Sequence, residues 1–394
     1  MYISVSPSRL SVVGESALRE DFSRSSVTLG RCVGAGVETL LKALPPSGNF
    51  FISPFSVWSA LVLAYFGSRG NTKAEDTLAL FRALERRYDS QEANQNYTIN
   101  SANRIYFDQS IPVRECVGKV LDDQVKLIDF NRFKPRAQCE SLPYKRADLF
   151  SRLTLILSNR EKPSVPDAAA ADINAFINAE TRGKIPKLIE PSFVEDAKMV
   201  LTNAVYFKGF WKYPFKPQRT TRTMDSEKLH AQVLEMPYRG DAVSMVVLLP
   251  RSGRAKEVDR LVRRLRPRRL VSVLKAMPSV PLIVKFPKIS VESTLGDELI
   301  STLKNMGIRD LFSSAADLTD FTHVRGLMVN GAIHKALIEV DEEGAEAAAA
   351  TVLAVTKSSP MPPKTTFTCN RPFVFYIKDN EANNILFMGV YRGL

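Results

Sequence analysis

Apolar residues recur along the chain in two interleaved rhythms. At Ser53 and Pro54 a side chain able to cap a helix and a first-turn proline precede Val57, Leu61, Ala64 and Tyr65 at helical spacing, which predicts a buried helix. Residues 170–180 (AADINAFINAE) and 297–308 (DELISTLKNMGI) repeat that spacing, the second with Gly307 placed to close it. Residues 200–207, 244–250, 372–377 and 385–391 are instead β-branched and aromatic runs bounded by turn residues, dense enough in apolar side chains for buried sheets. The two patterns alternate without an internal repeat, so solenoids and propellers are excluded and a mixed architecture of helices and strands is predicted.

Two segments depart from both rhythms. Residues 134–166 are rich in basic and turn residues around an apolar LTLILS and read as an inserted surface excursion. Residues 342–363 (EEGAEAAAATVLAVTKSSPMPP) read, taken alone, as an alanine-rich helix with a proline-rich exit, alanine being the best helix former.

The flanks change that reading. HKALIEVDEEG (334–344) precedes the alanine run and NRPFVFYI (370–377) follows it; FFISPFS (50–56), LTNAVYFKGFW (201–211), FPKIS (286–290), LFSSAADLT (311–319) and NILFMGV (384–390) occur in the same chain. In this order the blocks resemble the serpin family over residues 25–394. The resemblance implies a single α+β serpin domain with three β-sheets, about eight or nine helices and an exposed reactive-centre loop at about residues 344–363. Residues 1–24 are expected to be a poorly ordered extension.

The resemblance also implies a suicide-substrate mechanism. A serine protease attacks a bait carbonyl, and the cleaved loop enters the main sheet before the acyl-enzyme hydrolyses. The hinge maps to Glu342, Glu343, Gly344, Ala345, Glu346, Ala347, Ala348, Ala349, Ala350 and Thr351, where small side chains suit a segment that must enter a closed sheet. With period two, Ala345, Ala347, Ala349, Thr351, Leu353 and Val355 share one face, and Glu346, Ala348, Ala350 and Thr356 the other. Residues 345–358 span about 46 Å when extended, against roughly 55 Å for the diameter of a chain this long, so an attached protease travels nearly from pole to pole. About a dozen new ladder bonds plus apolar burial give a driving force on the order of 10 kcal/mol or more, so the loop-out state must be metastable.

Counting from Glu342 places the reactive bond at Ser358–Ser359; Lys357–Ser358 is the alternative, because a basic residue suits a trypsin-like pocket. Ser53, Ser56, Asn203 and His334 match a polar group beneath the sheet where it opens, and are otherwise satisfied core residues. Lys288, Glu342 and Trp211 match the closure at the top of the sheet, and are otherwise surface charges beside an aromatic.

Composition adds limits. The chain has 394 residues, 45% of them hydrophobic, enough for a large core. No window carries the roughly 18 uninterrupted apolar residues of a membrane span, and the N-terminus lacks the apolar core of a signal peptide. The resemblance nevertheless implies an extracellular protein, with the cytoplasm as the alternative. Cys32, Cys116, Cys139 and Cys369 are widely spaced and read as mostly free thiols, and the three histidines do not cluster, so neither a metal nor a cofactor is expected. No GxSxG elbow or P-loop is present, so the chain is not expected to be an enzyme.

Of the net charge of +12, residues 251–275 supply +8 through ten basic and two acidic residues. Arg263, Arg264, Arg266, Arg268 and Arg269 are therefore either a site for a heparin-like glycosaminoglycan or a solvated helix face broken at Pro267. Nucleic acid is not expected, since no aromatic residue is interleaved. Asn96-Tyr97-Thr98 is a glycan acceptor if the chain is secreted. The expected partner is a trypsin-like or elastase-like serine protease, met by a monomer. Two departures from the family keep a non-inhibitory binder or chaperone as the alternative. One is the insertion, ahead of a helix that lies over the opening sheet. The other is a missing strand and turn near residues 223–224, which is expected to leave a sheet edge unpaired. An insertion, a loss and a missing signal peptide together are also what a faulty gene model or a splice variant would produce.

Overall fold

Ser53, in extended backbone, accepts the Ser56 N–H at 3.0 Å, and Pro54 follows at the first helical position, so helix α1 (Pro54–Phe66) starts where the pattern puts it. The computed structural model describes residues 48–68, 96–130, 165–213, 219–254, 256–342, 365–382 and 384–393. The bait loop beyond Glu342 and nearly all of the insertion, 134–164, lie outside them.

A five-stranded sheet runs in the order β3 (Val125–Ile128), β2 (Tyr97–Asp108), β4 (Met199–Gly209), β10 (Gly331–Val340), β9 (Ile289–Leu295). Alternation sends its two faces to different partners. Leu201, Val205 and Phe207 of β4 and Ala332, Ala336 and Ile338 of β10 join the main core with α1. Val200, Ala204, Ile333 and Leu337 turn to the other side, where Ile173 and Ile177 of helix α3 (Val165–Glu180) and Ile185, Leu188 and Ile189 of the following loop cover them. Helix α3 starts five residues before the AADINAFINAE pattern, at the close of the inserted segment.

The second sheet has eight strands: β1 (Phe50–Ile52), β13 (Ile385–Tyr391), β12 (Phe373–Asp379), β7 (Val243–Pro250), β6 (Ala231–Pro237), β5 (Arg219–Ser226), β8 (Ser279–Lys285) and β11 (Thr365–Thr368). The two further sheets implied by the resemblance thus share one ladder, and β5 joins them. Its first half, Arg219 to Arg222, pairs with β8, and its second half, Arg222 to Ser226, pairs with β6. Where the sequence reading expected an unpaired sheet edge, one strand serves both neighbours, each half of it paired on one side only. Arg222, at the crossover, reaches the buried Glu235, which Lys378 also meets at 3.1 Å, and donates to the Leu274 and Met277 carbonyls.

Six α-helices lie among the described residues. The other four are α2 (Glu115–Leu121), α4 (Glu257–Arg264), α5 (Pro267–Ala276) and α6 (Asp297–Asn305). Pro267 splits the basic window into two helices because it can open a helix but cannot continue one.

Candidate functional site

The centre of the five-stranded sheet is a parallel pair, β4 beside β10, flanked on each side by antiparallel neighbours. The chain leaves β10 at Val340 and passes through Asp341 and Glu342 towards the alanine-rich segment of the sequence. A segment folding back from that end runs antiparallel to β10. Placed between β4 and β10 it would be antiparallel to both, which turns the central parallel pair into the more stable pairing.

Midway along this seam, Asn103 of β2, Asn203 of β4 and His334 of β10 stand opposite one another in one row, on the face towards α1. The start of α1 lies beneath them. Ser53, Ser56, Asn203 and His334 are all at most 2% exposed. The Ser53 N–H donates to His334 Nε2 at 3.2 Å, so that nitrogen carries no proton, and Nδ1–H is left to donate to Asn203 Oδ1. Asn203 Nδ2 donates to the Ser56 hydroxyl at 2.6 Å, to the Ser56 carbonyl at 3.1 Å and to Asn103 Oδ1. Ser53 Oγ donates to the Leu386 carbonyl at 2.7 Å, which ties the latch to β13. Burial pushes the His334 imidazole down to about 3, so the ring is neutral.

At the loop end of the seam, Lys288 Nζ meets Glu342 Oε1 at 2.6 Å, both side chains being largely exposed. The Lys288 partner holds the Glu342 carboxyl below its usual range. Trp211, buried and stacked on Tyr238 at 4.4 Å, donates Nε1–H to the Asp341 carbonyl at 3.0 Å. The structure brings Ser53, Ser56, Asn203 and His334, which the sequence reading grouped, into one hydrogen-bonded set, and it brings Lys288 to Glu342 and Trp211 to Asp341. The sequence reading missed Asn103, which lies on a strand whose mixed pattern, YTINSANRIYFD, gives no clean alternation. The hinge beyond Glu342, together with Lys357, Ser358 and Ser359, lies outside the described residues.

Arg263, Arg264 and Arg266 sit around the α4–α5 corner with Arg269 one turn into α5; Arg263, Arg266 and Arg269 are exposed and Arg264 is half-buried. Asn96 is half-buried, with its side-chain amide close against Gly240.

These residues offer no nucleophile paired with a base. They form a buried polar network across a parallel seam, and the chain continues from the end of that seam through Asp341 and Glu342. The model of the family described as "Serpin (serine protease inhibitor)" matches residues 37–139, 161–224 and 221–392, and the chain belongs to the serpin family. The breaks in the match fall at the inserted segment and at β5. Among relatives, the chain is 31% identical over 380 residues to the leukocyte elastase inhibitor of Bos taurus, covering 87% of this chain and 93% of that one. It is 32% identical over 379 residues to serpin B3 of Homo sapiens, covering 86% and 92%. Uncleaved ovalbumin shares the fold with a TM-score of 0.70 at 23% identity, covering 93% of this chain and all of that one.

Proposed function

We propose that the protein inhibits a serine protease as a suicide substrate, by cleavage at Ser358–Ser359, acyl-enzyme trapping and insertion of residues 345–358 between β4 and β10. The observation that carries this reading is the parallel β4–β10 pair at the centre of a five-stranded sheet, with the bait segment leaving the end of β10. Relatives named leukocyte elastase inhibitor support an elastase-like target, whose pocket suits a small residue such as Ser358. Cleavage at Lys357–Ser358 would instead select a trypsin-like one. Incubation with a panel of both kinds is expected to give a complex that survives denaturing electrophoresis with an elastase-like protease. Quantitative cleavage with no such band, and no rise in melting temperature on cleavage, would support the non-inhibitory binder instead.

The exposed free thiol of Cys116 suits a reducing compartment, which supports the cytoplasmic placement over the extracellular one; there Asn96 carries no glycan and the protein acts as a monomer. The arginines of the α4–α5 corner are proposed to hold a sulfated polyanion. Retention on immobilised heparin should fall with salt, and alanine at Arg263, Arg264, Arg266, Arg268 and Arg269 should abolish it. Unchanged elution of that variant would return the corner to a solvated helix face.

A further inference from the structure

The face of the seam opposite the latch carries a second set of bridges. On that side Tyr206 of β4 donates its hydroxyl to Glu339 Oε2 of β10 at 2.7 Å. Lys184, in the turn after α3, donates to both Glu339 oxygens at 3.0 and 2.9 Å, and its ammonium stands 5.1 Å from the centre of the Tyr206 ring. One residue pair further along, Lys208 of β4 meets Asp341 at 3.0 Å. Glu339 thus accepts from one group on the far side of the seam and from one on the segment that covers it. Tyr206 is buried and Glu339 partly so, which makes the bond between them stronger than an exposed one of the same kind, while the Lys184 ammonium that completes the set is itself exposed.

Position matters as much as strength. Glu339 lies five residues from His334 towards the loop end of β10, about 17 Å in an extended strand. A bait segment entering from Glu342 therefore meets the Tyr206–Glu339 bridge well before it reaches the His334–Asn203 latch. An inserted strand also moves β4 and β10 apart by about 4.8 Å, and whatever lies across them must shift. Lys184 is the side chain through which the turn after α3 holds Glu339.

We propose that Lys184, Glu339 and Tyr206 form an outer clasp that sets the rate at which a strand enters the β4–β10 seam, and that Lys184 couples this entry to movement of the α3 segment. The proposal rests on loop insertion as the mode of action. These are positioning residues: none touches the protease or the reactive bond. With the clasp in place, entry waits for the bonds to Glu339 to break, and the acyl-enzyme has correspondingly longer to hydrolyse.

The test uses the full chain and a synthetic, fluorescently labelled peptide of residues 345–358, whose uptake is followed on native gels without any protease. Lys184→Met, which keeps the length of the side chain and removes its charge, should take up the peptide about fivefold faster than wild type, a change of about 1 kcal/mol in barrier. Tyr206→Phe, which removes one hydroxyl, should be about threefold faster. Lys187→Met is the control, because its ammonium pairs within the same loop with Glu190 at 2.6 Å and does not cross the seam; it should match wild type. Uptake at the wild-type rate by Lys184→Met and Tyr206→Phe, both folded by thermal melting, overturns the clasp and leaves loop insertion standing. Acceleration by Lys187→Met equal to that of Lys184→Met overturns it too, since loop charge alone would then suffice. No uptake by wild type or any variant removes loop insertion, and the clasp with it.

Discussion

An Ala347→Arg variant is expected to be cleaved by the target protease at the same bond as wild type while forming little covalent complex. On the period-two reading Ala347 faces the main core once the loop is inserted, where β4 and β10 present Val205, Phe207, Ala336 and Ile338, all buried. A guanidinium has no partner among those side chains, and burying an unpaired charge costs several kcal/mol even after relaxation. Each 1.4 kcal/mol added to the insertion barrier slows it about tenfold, so a cost of about 3 kcal/mol slows it more than a hundredfold while deacylation is untouched. The protease then escapes. Ala348→Arg should be much milder, because the opposite face at the loop end of the seam carries the carboxylates of Glu339 and Asp341. The ratio of complex to cleaved inhibitor on denaturing gels decides the matter. Equal loss of complex in the two variants would falsify the alternation, and full complex in both would mean that the loop does not enter the sheet.

The second large effect is a loss of stability in mild acid that comes from His334. In the folded protein this imidazole titrates at about 3, because it is buried and its Nε2 must stay unprotonated to accept the Ser53 N–H; unfolded, it titrates near 6.5. Between those values the unfolded chain binds the extra proton, so stability falls as pH falls, by about 1.4 kcal/mol per pH unit and about 2 kcal/mol in all by pH 5. Burial works to raise the Asp108 carboxyl, but hydrogen bonds from Ser110, Phe130 and Lys198 outweigh it and leave the group below its usual range. Its contribution is therefore lost only below about pH 3.9, the ordinary aspartate value, and does not overlap the window from 6.5 to 5. Chemical denaturation of wild type at pH 7, 6 and 5 should show the decline, and a His334→Gln variant, less stable at pH 7, should show it flattened. A wild type equally stable at pH 7 and pH 5 would contradict the neutral, proton-refusing ring.

What could be read from the sequence follows from how local each signal is. Helix α1 was legible because Ser53, Pro54 and the apolar positions after them lie within one short stretch, and β13 was legible because a dense apolar run between turn residues has few other uses. Helix α6 ends at Asn305, two residues before Gly307 takes its positive φ, close to where the glycine pointed. The latch residues could be named only through the family blocks, since Ser53 and His334 are 281 positions apart and nothing local joins them. Asn103, Tyr206, Glu339 and Lys184 were not legible at all. Tyr206 and Lys184 read as a strand aromatic and a surface lysine, and their meaning comes from the crossing of β4, β10 and the turn after α3. The basic window was legible as charge, but which arginines share a surface depended on Pro267 dividing it.

The doubled pairing of β5 has a further consequence. Arg222 stands opposite Glu235 in one ladder and Ser279 in the other, so the two ladders share a single index point. In an ordinary hairpin a slip of one residue exchanges the faces of one strand against one partner. Here a slip against β6 would also carry Arg219, Thr220 and Thr221 out of step with β8, and would pull the Arg222 guanidinium away from Glu235 and from the end of α5. Because one strand carries both pairings, the alignment of the two ladders is one decision, fixed by the side chain at position 222.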